Sequence, residues 1–133
     1  SQGGDKAKGV ANAEYQLMAA AIKDPQHLVR VCERLSPERF ITPQMAEVFR
    51  VLKEVHEAGL PAELATVSHQ LSDEARTALT RSLADNYDIR FTDADLDFYF
   101  ERIEESVPKS SKAAEMSAQE LAAYMQQLKA KKQ

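Results

Sequence analysis

The stretch AIKDPQHLVRVCERLSPERF, residues 21–40, decides the fold by its punctuation. Proline disfavours helical backbone at the residue before it and is welcome at a first helical position, so Asp24-Pro25 ends one helix and starts another at once. Between the prolines, Leu28, Val31, Cys32 and Leu35 recur at the three-and-four spacing of an amphipathic helix. Ser36-Pro37 breaks the chain again, and Phe40 anchors a short connection. The result is a short helix set at a sharp angle between its neighbours. The same stretch holds the sole cysteine, Cys32, five residues after His27. Five residues advance a helix by about 500°, which leaves the two side chains about 140° apart and out of hydrogen-bond reach. Cys32 is therefore expected as a core thiol rather than a nucleophile.

Outward from this stretch the helical period continues and no run alternates as a half-buried strand does, so the fold class is all-α: a multi-helix bundle followed by a C-terminal helical hairpin. Before it, a helix over about 13–23 carries Leu17, Met18, Ala21 and Ile22 on one face. After it, Thr42-Pro43 is an N-cap with proline at the first helical position, opening a helix with Ala46, Phe49, Leu52 and Val55 inward. Gly59 closes that helix. Leu64, Val67 and Leu71 mark a fourth helix. Ser72 caps a fifth with Ala75, Ala78, Leu79 and Leu83 inward. ADNYDIRF, residues 84–91, is a loop whose two aromatics and Ile89 are expected to pack in part on the core. Thr92 caps a sixth helix with Asp93 and Asp95 in the first turn, where the dipole favours acids. Its Leu96, Phe98, Tyr99, Phe100 and Ile103 cover more than one face. Pro108 ends it. Ser117 to Glu120 has the capping-box pattern and opens a last helix bearing Leu121, Tyr124, Met125 and Leu128. The sixth and last helices are expected to pair as an antiparallel hairpin. The chain thus divides into 1–12 as linker or expression scar, 13–91 as bundle and 92–133 as hairpin. The opening SQGGDKAKG, without methionine, reads as a piece of something longer.

The chain has 133 residues, enough for one core without staples, and only 4 Gly and 5 Pro, which leaves little room for loops. One cysteine makes no internal disulfide, which points to a reducing compartment, with cytoplasm as the default. The longest apolar run, Leu17 to Ile22, spans no membrane and forms no signal peptide. Net charge is −4 and polarised: Asp85 to Glu105 holds eight acids against Arg90 and Arg102, whereas 109–133 holds five lysines against two glutamates. Phosphate binding depends on a concentrated basic face, so direct duplex nucleic acid binding is not expected. Protein partners are.

Catalytic patterns are missing. His27, His56 and His69 share no i, i+3 or i, i+4 spacing, so no metal site is expected. The acids of DADLD, residues 93–97, lack the glycine of a calcium loop and sit at a helix start. No glycine-rich phosphate cradle and no nucleophile elbow occurs, and neither a cofactor nor an enzyme activity is expected of this chain. The aromatic excess of the sixth helix and the apolar stripe of the last are the features with functional weight.

AEYQLMAAAIKDPQHLVRVCERLSPERFITPQMAEVFRVLKEVHEAGLPAELATVSHQL, residues 13–71, resembles a helical domain shared by two bacterial replication proteins, the C-terminal helicase-binding domain of DnaG-type primase and the N-terminal domain of the DnaB-type replicative helicase. The resemblance rests on an acid before the first helix at Glu14, the Asp24-Pro25 stop, LSPERF with Phe40, and the two stretches that follow. The ending MSAQELAAYMQQLKAKKQ looks like the primase domain's terminal hairpin helix, which puts the primase reading first and the helicase reading second. The resemblance implies a noncatalytic module that is monomeric when free and docks on the N-terminal domains of the hexameric helicase. It would recruit primase to the replication fork and modulate helicase ATPase and unwinding. The implied helicase-binding contact falls on the last helix: Leu121, Tyr124, Met125 and Leu128 as anchors, with Lys129, Lys131 and Lys132 as charges.

Overall fold

The computed structural model describes residues 2–106 and Gln126, with side chains from Lys6 onward. Among the described residues the fold is all-α: α1 (Gln2–Lys23), α2 (Pro25–Arg34), α3 (Pro43–Glu57), α4 (Leu64–His69), α5 (Asp73–Asp85) and α6 (Asp93–Glu105), with one 3-10 turn at Pro37–Arg39. The last helix of the sequence reading lies outside the described residues apart from Gln126, which is helical.

α1 is the axis of the molecule, and α2, α3, α5 and α6 all pack on it. Its residues Leu17 to Ala21 are buried without a break, which is what a helix surrounded by neighbours requires. Three of those five are alanines, so the flanking helices approach the α1 backbone closely. α3 supplies the other half of the core with Met45, Val48, Phe49, Leu52 and Val55, and packs on α5, α4 and the 3-10 turn. Phe40 meets Phe49 at 5.2 Å between ring centroids. That contact fixes the turn at Ser36-Pro37 against α3.

α1 begins at Gln2, well before the expected start near Ala13, so the segment expected as a linker is helical. Glycine weakens a helix interior by about 1 kcal/mol relative to alanine, and Gly3, Gly4 and Gly9 argued for a linker on that ground. Packing overrides them: Val10 is buried in the core. At Gly9 the missing side chain is useful, because a Cβ there would stand 2.9 Å from Nη1 of Arg102 on α6.

The helix ends obey local chemistry. Asp24 adopts extended backbone and accepts from the Gln26 N–H, capping α2 directly after α1 stops. Ser72 accepts from the Ala75 N–H, while its own N–H and hydroxyl donate to Glu47 at 2.6 and 2.8 Å, tying the start of α5 to α3. Thr92 and Asp95 form a full capping box on α6. Gly59 ends α3 at φ 73°, a left-handed conformation that costs glycine little.

Candidate interaction surface

The histidines and the cysteine do not converge. Cys32 is half-buried at the edge of the core, and burial pushes its thiol pKa up. His27 turns away from it and hydrogen-bonds the Phe91 carbonyl through Nε2 at 3.1 Å, with Asp24 3.7 Å off and Nδ1 buried without a partner. His69 is exposed on α4. Among the described residues no three His, Cys, Asp or Glu side chains are placed to hold a metal, and no helix is long and apolar enough to cross a membrane.

What the fold does present is a fixed surface loop between α5 and α6, residues 86–92. Lys23, in the last turn of α1, donates from Nζ to the carbonyls of Asn86, Tyr87 and Ile89, the last two at 3.3 and 2.7 Å. The same ammonium sits 5.6 Å from the Phe91 ring centroid. With His27 on the Phe91 carbonyl, two residues at the α1–α2 junction hold four carbonyls of one loop. The Asn86 side chain donates back to the Ser82 carbonyl at 2.8 Å, and the Ser82 hydroxyl donates to the Tyr15 carbonyl of α1 at 2.9 Å. Phe91 is buried as expected and packs edge-on against Tyr99. Tyr87 and Ile89 face outward, 84% and 44% exposed. A loop so fully tied down whose apolar side chains point outward is prepared for contact at small entropic cost.

Beside the loop a groove of about 480 Å³ runs between α1, the start of α3 and α5. Its lining includes Asn12, Gln16, Gln44, Glu74, Arg81 and Asp85. Gln16 Oε1 is buried with no hydrogen-bond partner. An acceptor left in that state costs about 1–3 kcal/mol until a donor reaches it.

α6 resolves into two faces. Leu96, Phe100 and Ile103 enter the core, and Phe98 stays 52% exposed with the Arg102 guanidinium 5.0 Å over its ring. The acids of α6 are held largely by α2: Arg30 reaches Asp93 and Asp97 at 3.3 and 2.7 Å, and Arg34 reaches Glu104 at 2.8 Å. Both guanidiniums also lie on the Phe100 ring, at 5.5 and 5.0 Å. The expected contact residues Leu121, Tyr124, Met125, Leu128, Lys129, Lys131 and Lys132 lie outside the described residues. In the sequence Lys23 shows only as a basic residue in a last helical turn.

Fold and surface together define an all-α domain whose notable features are contact features: a fixed loop, a polar groove and a ring-stacked acidic helix. Residues 7–105 match the DnaB-like helicase N terminal domain family, and the chain belongs to that family. The solved N-terminal domain of DnaB helicase from Mycobacterium tuberculosis is similar in fold, with a TM-score of 0.55 and 24% sequence identity over 71% of this chain and 70% of that one. No curated protein sequence matches. The resemblance had put the primase domain first and the helicase domain second; the family match reverses that order.

Proposed function

We propose that this chain is a noncatalytic assembly domain of a DnaB-type replicative helicase, which joins copies of itself and offers primase a docking platform. The family match over residues 7–105 carries this reading. The tied-down loop with Tyr87 and Ile89 outward supports it, since exposed apolar side chains on a rigid frame suit a protein contact. The apolar stripe Leu121, Tyr124, Met125 and Leu128 with Lys129, Lys131 and Lys132 keeps its proposed role of binding helicase N-terminal domains, which now belong to neighbouring copies.

Sedimentation velocity over a hundredfold concentration range tests the reading. The sedimentation coefficient is expected to rise with concentration, and a strict monomer at the highest concentration would sink the assembly role. Removal of residues 109–133, with helical content preserved, is expected to reduce the association. Primase docking is checked separately by pull-down with the primase of the same organism.

A further inference from the structure

We infer that the backbone carbonyls of loop 86–92 form a receptor for one monovalent cation, which the chain fills with its own Lys23 and which a small free alkylammonium ion fills once that side chain is removed. Three carbonyls, those of Asn86, Tyr87 and Ile89, converge on Lys23 Nζ, the last two at 3.3 and 2.7 Å. The Phe91 ring lies 5.6 Å from the same nitrogen, where its quadrupole attracts a cation. Lys23 makes no ion pair among the described residues, so neutral oxygens and an aromatic ring meet the whole charge.

The donor set decides the class of ligand. Divalent ions such as calcium and magnesium draw on carboxylates, whereas clusters of backbone carbonyls suit monovalent cations. An ammonium group adds a match in number, with three N–H donors and no acceptor against three oxygens. A quaternary ammonium ion carries the same charge and lacks all three bonds. The receptor is also fastened by groups other than Lys23. The Ile89 N–H donates to the Asn86 carbonyl at 3.1 Å and the Tyr87 N–H to the Ala84 carbonyl at 3.3 Å. The Asn86 side chain is tied to Ser82, the Phe91 carbonyl to His27, and Phe91 itself is buried. Lys23 is exposed at the end of α1, so an ion from solvent reaches the same oxygens. Tyr87 supplies one of those oxygens, and the cation thereby fixes the backbone that carries its strongly exposed ring.

The test is chemical rescue on the full chain, with methylammonium as the probe and tetramethylammonium at the same ionic strength as its control. Lys23→Ala is expected to speed amide hydrogen exchange at Tyr87 and Ile89 about tenfold, and methylammonium to slow it again by about threefold or more, in a saturable way. Tetramethylammonium is expected to leave it fast. Lys23→Met, whose side chain fills the place that the methylammonium carbon needs, is expected to stay fast in both salts, and the wild-type chain to respond to neither. Amide chemical shifts of Tyr87, Ile89 and Phe91 give a second readout that does not depend on loosening of the loop: methylammonium is expected to move them saturably in Lys23→Ala alone. Absence of both the slowing and the shifts in Lys23→Ala overturns the receptor. Equal responses to the two salts, or the same response in wild type, would mean a general salt effect and overturn it too.

Discussion

Glu14 is fully buried inside α1. Its carboxylate accepts from the Ile41 and Thr42 N–H groups at 2.8 and 2.9 Å, so it closes the connection between the 3-10 turn and α3. The donors stand 27 and 28 residues away, which is why no local pattern revealed the role. The Thr42 side chain hydrogen-bonds Glu14 as well, and it makes no cap bond to α3. Glu14→Ala strands two backbone donors and is expected to cost about 2–4 kcal/mol, read from urea unfolding. Burial raises the pKa of Glu14, and the three hydrogen-bond contributions only partly oppose that rise. With the folded pKa above the unfolded one, the folded state holds more protons across the window between them. The contribution of Glu14 is thus fully present below the ordinary carboxylate range and falls as pH rises through the raised value. Unfolding curves of wild type and Glu14→Gln should therefore draw closer as pH rises through that window, and a gap that widens would contradict the sign. Cys32 gives a second check. Desolvation raises its pKa, so little thiolate is present at neutral pH and alkylation in the native state should run at least tenfold slower than in urea. Equal rates would mean an open, activated thiol.

At the scale of elements, whatever is local in origin was readable and whatever depends on distant partners was not. Asp24-Pro25, Ser72, Thr92 and Gly59 each end or start a helix where the sequence reading placed the boundary, because capping is decided within a few residues. α1 extends well before Ala13 because packing against α6 outweighs its glycines, a contact between opposite ends of the described chain. The loop after α5 was readable only as a loop. Its order comes from Lys23, which lies 63 to 66 residues away in sequence. Lys23→Met keeps a straight side chain while deleting the three donors. It is expected to raise amide hydrogen exchange at Tyr87 and Ile89 about tenfold, the equivalent of one charge-assisted hydrogen bond, with little change in α3. Unchanged exchange in the loop would mean that its own backbone turns hold it without Lys23.

For the whole molecule, the open question is whether α6 is part of the bundle or the first arm of a separate hairpin, as the division at 91 and 92 proposes. The core speaks through particular residues: Leu96, Phe100 and Ile103 are buried in the same cluster as Leu17 and Phe49. Arg30 and Arg34 also both lie over the Phe100 ring, so a single ring joins α6 to α2 beside the three ion pairs. Those pairs are largely exposed and contribute little by themselves, about 0–1 kcal/mol each. The ring carries most of the joint. Phe100→Ala is expected to cost about 3–5 kcal/mol, a large part of the stability of a domain of this size. If α6 is integral, that loss appears in one cooperative transition, with α1 and α3 melting together with α6 in differential scanning calorimetry and in circular dichroism. If α6 belongs to an independent arm, Phe100→Ala splits the transition, and the α1–α3–α5 core keeps its wild-type midpoint. The first outcome is expected, because Val10 near the start of α1 lines one hollow with Arg102, Glu105 and Ser106 at the end of α6, so the two elements cover each other.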